Sequence, residues 1–96
     1  MMKMDIQQFA SVWDALEDSP AATASMKARA QLMRALQKTV TGWDVSQKAA
    51  AARLGITQPR VNDLLRGKID KFSLDMLFDL TGRVGLKVSL ALRKAA

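Results

Sequence analysis

The sequence predicts a mainly α fold of five helices with one C-terminal β-strand. Three observations carry this. Apolar residues recur at three- and four-residue spacing along most of 5–81, the period of an amphipathic helix. Caps and breakers at Ser19-Pro20, Gly42, Ser46, Gly55, Thr57, Gly67 and Ser73 cut that pattern into pieces of helical length. Beyond Gly85 the period changes to two, which is the period of a strand. The 96 residues make one domain. It divides into a lead-in segment over 1–20, a compact helical part over 21–84, and a strand with its tail over 85–96.

The first helix is expected over 5–17, where Ile6, Phe9, Trp13 and Leu16 share a face with Val12 beside them. Ser19-Pro20 breaks it and starts a second helix over 21–41. That helix has Met26, Ala30, Met33, Leu36 and Val40 on one face and Lys27, Gln31, Arg34 and Lys38 on the other. The basic stripe reads as a solvated face first and as a secondary phosphate or partner surface second. Gly42 closes the helix, Trp43-Asp44-Val45 forms a link, and Ser46 caps the next helix.

Residues 47–67, QKAAAARLGITQPRVNDLLRG, carry the most information. Ala51 is small where two helices must approach. Gly55 reverses the chain, since glycine tolerates the left-handed conformation of such turns. Ile56 plugs the gap between the helices and Thr57 can cap the second of them. Pro59 is acceptable only in a first turn, where its missing N–H costs nothing. Val61, Leu64 and Leu65 then form an apolar stripe, and Gly67 ends the helix. Gln58, Arg60, Asn62, Asp63 and Arg66 are left on the free face. This is the layout of a helix-turn-helix, whose second helix lies in the major groove of DNA. An ordinary helical hairpin with a solvated polar face is the plainer alternative.

After Gly67, Lys68 and Lys71 flank Ile69 and Asp70. Ser73 caps a last helix that buries Leu74, Leu77, Phe78 and Thr81, and Gly82 and Gly85 close it. Leu86, Val88, Leu90 and Leu92 then alternate with Lys87, Ser89, Ala91 and Arg93 as a half-buried strand. A lone strand must find a partner. The simplest is the same strand of a second chain about a two-fold axis, giving a homodimer. Augmentation of another protein's sheet is the alternative, and a frayed helical tail is the plainest reading.

Charge agrees with the motif. The formal net charge is +6, and residues 27–71 hold ten Lys and Arg against Asp44, Asp63 and Asp70. Such an excess suits a polyanion. There is no Cys, His or Tyr and only one Glu, so disulfides, thiolate metal sites and the usual acid–base and nucleophile constellations are missing. Neither a catalytic residue, a metal nor a cofactor is expected. No apolar run approaches the ~20 residues that span a bilayer. No apolar signal-peptide core comes after MMKMDIQQ, so a cytoplasmic protein with no membrane partner is expected. Trp13 and Trp43 read as core or interface anchors, and the six Met residues as gap fillers.

The run QKAAAARLGITQPRVNDLLRGKIDKFSLDMLFDL resembles the Xre/Cro class of prokaryotic helix-turn-helix regulators. Within it, LGITQPRVNDLLRGKIDKFSLD is similar to a subgroup that includes HigA-like antitoxins, and SVWDAL resembles that subgroup's lead-in. The resemblance spans roughly 11–92. It implies a lambda-repressor-like fold and a dimeric repressor on a palindromic operator in double-stranded DNA. In the antitoxin branch it also implies a RelE-like toxin partner and repression of a shared operon. A stand-alone or phage-type regulator without a toxin is the alternative within the class. A protein-interaction module that retains the fold is the alternative outside it.

The residues divide by role. Thr57, Gln58, Arg60 and Asn62 are expected to face the groove, with Gln58 the best reader because its amide donates and accepts across an adenine edge. Gln47, Arg66 and Lys68 are expected to hold phosphates and set register. An exposed helix N-terminus at Ser46-Gln47 adds free amides and a positive dipole end. Asp63 either accepts from a cytosine amine or orients Arg60 or Arg66.

Overall fold

The computed structural model describes residues 20–90 together with Leu92 and Lys94. The expected helix over 5–17, with Ile6, Phe9, Val12, Trp13 and Leu16, lies outside the described residues, as do Ala91 and Arg93. Four helices occur in order: α1 (Pro20–Gly42), α2 (Gln47–Leu54), α3 (Gln58–Leu65) and α4 (Leu74–Arg83), with a 3-10 turn at Ile69–Lys71 before α4.

Local chemistry sets these boundaries. Pro20 opens α1, where a missing amide is harmless. Ser46, Thr57 and Ser73 each sit in extended backbone and accept from the amide three residues on, at 3.1, 3.3 and 3.1 Å. The C-termini of α2, α3 and α4 share one closure, in which a left-handed glycine makes the chain fold back on the last turn. Around α2, Gly55 has φ 70° and Ile56 N donates to Ala51 O at 3.1 Å. The equivalent bonds are Lys68 N to Asp63 O at 3.0 Å and Leu86 N to Thr81 O at 2.9 Å. Gly82, expected to help close α4, lies inside the helix; Gly85 alone takes the left-handed turn. After α1 that conformation falls instead on Asp44, with φ 52°.

The core gathers one face from every element. Met33, Leu36 and Val40 of α1 meet Ala50, Ala51 and Leu54 of α2, Val61 and Leu64 of α3, Phe72, and Leu77 and Leu80 of α4. Ile56, Leu65 and Trp43 pack at its edge. Arg53 covers the outer side of Trp43, its guanidinium 5.0 Å from the ring centre. The first half of α1 departs from expectation. Met26 is 45% exposed and Ala30 half-buried, whereas Ser25 is buried and Leu32 packs on the core. At ~100° per residue, Ser25, Arg29 and Leu32 continue the line of Leu36, whereas Met26 and Ala30 fall at its margin. Helix phase, not side-chain polarity, decides which residues turn inward. Lys27, Gln31, Arg34 and Lys38 are all exposed.

The C-terminal segment keeps its alternation without a ladder. Among the described residues of 85–93 there is no strand, and Leu92 makes only an isolated bridge. Leu86, Val88 and Leu90 are half-buried while Lys87 and Ser89 are exposed. Val88 and Leu90 pack on Leu74 and Phe78, as do Ala28 and Leu32 of α1, and all but Leu74 line a shared cavity of about 280 Å³. The apolar face found a floor in α4, whereas a ladder needs a neighbouring strand, and none occurs among the described residues.

The turn between α2 and α3 is tied to α4. Arg83 Nη1 donates to Leu54 O at 2.9 Å and to Gly55 O at 3.3 Å, and Nη2 pairs with Asp79 at 2.9 Å. A Cβ on Gly55 would lie 2.7 Å from Arg83 Nη1. Gly55→Ala is therefore expected to cost about 2–3 kcal/mol, from the left-handed φ and the displaced arginine together. Arg83→Ala is expected to cost about 1 kcal/mol, because the side chain is partly solvated. In urea denaturation the double variant should lose less than the sum, since Gly55→Ala already dislodges Arg83. Full additivity would show that the two do not act together.

Candidate nucleic-acid interface

Two helices of eight residues each, α2 and α3, form a hairpin around Gly55, Ile56 and Thr57. Thr57 turns the chain out of extended backbone into α3, and Pro59 sits in its first turn. The far end of α3 is held from α1: Gln37 Nε2 donates to Leu64 O at 2.8 Å and reaches Leu65 O at 3.4 Å. Val61 and Leu64 are fully buried. These contacts fix the axis and rotation of α3 and so decide which side chains point outward.

With Val61 and Leu64 inward, Pro59 and Arg66 point most directly away at ~100° per residue, Asn62 and Asp63 flank them on either side, and Gln58 lies at the side of the helix, exposed at its N-terminal end. Thr57, Gln58, Pro59 and Arg66 are exposed, and Asn62 and Asp63 are half-buried. Among the described residues, the side chains of Gln58, Asn62 and Arg66 have no hydrogen-bond or ion-pair partner. The Thr57 hydroxyl accepts from Arg60 N and keeps its own proton free to donate.

Arg60 is placed differently from the rest of the expected reading set. Its guanidinium turns toward the protein: Nη1 donates to Lys71 O at 2.9 Å, Nη2 meets the Met76 sulfur at 2.6 Å, and the plane lies 4.7 Å from the Phe72 ring centre. Asp63 also has a partner other than those expected. Its carboxylate is 3.6 Å from Lys68 Nζ, not against Arg60 or Arg66.

Basic and amide groups border the α3 face. Lys68 comes just after the turn at Gly67, and Lys71, which the spacing does not single out, is exposed at the end of the 3-10 turn. At the start of α2, Gln47 and Lys48 are exposed. Ser46 takes the amide of Ala49, so the first two amides of the helix are left to an outside acceptor. Leu86, Val88, Leu90 and Leu92, expected to form a dimer strand, belong to a separate region and are all half-buried.

Gln37, Arg83 and Lys71 are parts of this arrangement that sequence reasoning misses. The first two bind backbone carbonyls 27 and 29 residues away, and no local spacing announces such a bond. For Lys71 a signal is present, since it shares a short basic turn with Lys68.

None of the described helices is long and apolar enough to cross a membrane. A family model described as a helix-turn-helix domain matches residues 15–93. No curated protein matches the chain at a significant level.

Gln37 gives a direct test of how α3 is held. Gln37→Leu removes the donor to Leu64 O and is expected to cost about 1 kcal/mol in urea denaturation. Gln37→Glu should cost more at neutral pH, because a carboxylate cannot donate and faces two carbonyl oxygens. Equal stability of Gln37→Glu and wild type would show that the contact holds nothing.

Proposed function

The chain belongs to the helix-turn-helix domain family, and from that premise we propose that it is a sequence-specific DNA-binding transcriptional repressor. The observation that carries this reading is the division of polar side chains on α3. Arg60 turns inward and is bonded and Asp63 pairs with Lys68, while Gln58, Asn62 and Arg66 have no partner among the described residues. Unpaired amide and guanidinium groups on a rigid helix, bordered by lysines, suit base edges flanked by phosphates. In this reading Gln58 and Asn62 are the base readers, with Thr57 donating from its capping position. Gln47, Arg66 and Lys68 hold the backbone, and Asp63 braces Lys68.

One recognition helix covers only a few base pairs. Homodimerisation through Leu86, Val88, Leu90 and Leu92 would set two copies on a palindrome about one duplex turn, ~34 Å, apart. Support comes from the alternation of 86–92 and from the backbone groups of 87–90, which make no hydrogen bond among the described residues. The finer biological reading is the antitoxin of a type II toxin–antitoxin pair that represses its own operon and binds a RelE-like toxin. It is supported by the resemblance of LGITQPRVNDLLRGKIDKFSLD and SVWDAL to HigA-like antitoxins. Co-purification from the native locus, then a gel shift on its promoter, separates the readings. A co-purifying small basic protein supports the antitoxin role, and a shift without one supports a stand-alone regulator. No shift even at low salt would leave a protein-interaction module.

Two substitutions test the face. Gln58→Ala should cost about 1–3 kcal/mol at one base position and relax specificity there. Lys68→Ala should weaken binding to all sequences alike and lower the salt slope by about 1. Wild-type binding by both would overturn the assignment of the face. For the dimer, light scattering at micromolar concentration should report two copies; a monomer with 86–92 ordered would sink the strand-pairing reading.

A further inference from the structure

Arg60 lies on the reading helix, yet its contacts run inward. Its amide is held by the Thr57 hydroxyl, and its guanidinium reaches three other residues. Nη1 bonds Lys71 O, Nη2 bonds the Met76 sulfur, and the plane covers Phe72, which is itself 2% exposed. An arginine that reads guanine needs its planar fork free to reach two acceptors at once. Here both fork nitrogens are engaged and one face is stacked. To read a base, the side chain would have to break two bonds and leave the ring.

The bonded partners show what the contact does. Lys71 O belongs to the short turn that carries the exposed Lys71 and, at its other end, Lys68. That other end is also tied to α3, by Lys68 N to Asp63 O at 3.0 Å and by the Lys68–Asp63 ion pair at 3.6 Å. The turn is thus fastened to the reading helix at both ends, first by Asp63 and then by Arg60. Phe72 and Met76 extend the second fastening into the core and the first turn of α4.

We propose that Arg60 is a positioning residue: it fixes the basic turn at 68–71 to the recognition helix, so that Lys68 and Lys71 meet the phosphates in register with Gln58 and Asn62. This rests on the DNA-binding reading and adds Lys71 to its backbone contacts. A flexible turn would let both lysines track the duplex independently of α3. A fastened one makes the phosphate contacts report the rotation of the reading helix, which is how backbone contacts set register.

The test uses Arg60→Lys, which keeps the charge but loses the planar fork and the stacking surface. In the full chain without DNA, hydrogen exchange at the amides of Lys71 and Phe72, bonded to Lys68 O and Ile69 O at 3.1 and 3.2 Å, reads the fastening directly. Exchange there should quicken by about tenfold, the scale of one lost charged hydrogen bond, while α2 is unchanged. Unchanged exchange overturns the proposal whether or not DNA binds. On a duplex carrying the gene's own promoter, Arg60→Lys should weaken binding by the same factor for every single-base variant. Lys71→Ala should lower the salt slope by about 1 in the wild-type background and by clearly less in the Arg60→Lys background. A loss confined to one base pair would make Arg60 a reader and overturn the proposal, as would full additivity with Lys71→Ala. Met76→Leu, which removes only the sulfur acceptor, should shift exchange at Lys71 and Phe72 in the same direction by less, and guards against a fold defect in Arg60→Lys. If exchange responds as expected but the wild-type chain binds no duplex, the regulator reading falls while the fastening stands, and the phosphate role falls with it.

Discussion

An eight-residue helix is nearly all ends. Its first four amides and last four carbonyls lack partners inside the helix, so α2 and α3 depend on groups outside themselves for most of their hydrogen bonding. Helices this short are also marginal alone in water. Closing those ends is the constraint on which the rest of the structure depends. Ser46 and Thr57 close the starts, and left-handed glycines at 55 and 67 fold the chain back over the finishes. The remaining carbonyls are reached from the two flanking helices, by Arg83 of α4 at Leu54 and Gly55 and by Gln37 of α1 at Leu64. The motif is therefore held by apolar burial on one face and by two long polar side chains at its exits.

This arrangement sorts the polar residues of the motif into two groups with different work. Gln37, Arg60 and Arg83 spend their donors on carbonyls and a sulfur within the fold. Gln47, Gln58, Asn62 and Arg66 have no side-chain partner among the described residues. The first group holds in place the helices that carry the second. Residue type does not separate the groups: each holds glutamine and arginine.

That is also why the sequence revealed the fold more fully than the site. The caps at Ser46, Thr57 and Ser73 and the turn at Gly55 rest on bonds within a few residues, and all were legible. So were Val61 and Leu64, whose burial comes from period, and Ala51, whose small side chain lets two helices approach. Met26 and Ala30 misled because apolar identity was weighed where helix phase selects Ser25 and Leu32. The inward contacts of Arg60 were not legible for a different reason. Its spacing places it beside the reading face, and only the fold brings Lys71, Phe72 and Met76 within its reach. Contacts from a side chain to a distant carbonyl leave no periodic mark in a sequence.

The C-terminal segment shows the same limit from the other side. Its alternation foretold which side chains turn inward, and Leu86, Val88 and Leu90 do turn toward the protein. It could not tell what they turn against, since a period of two describes a face and not the edge beside it. Val88 and Leu90 rest on Phe78 and Leu74 of the same chain, beside Ala28 and Leu32. Part of their apolar area is thus covered within the chain, and part borders the cavity. What residues 87–90 still offer is their row of backbone amides and carbonyls, unpaired among the described residues. A dimer joined through this segment would add a hydrogen-bonded edge to that half-covered apolar face. The floor beneath that edge is built by α4 with α1 beside it, the same two helices that supply Arg83 and Gln37. The helices that fix the reading face would then also fix the edge where two copies join, and with it the distance between two reading helices.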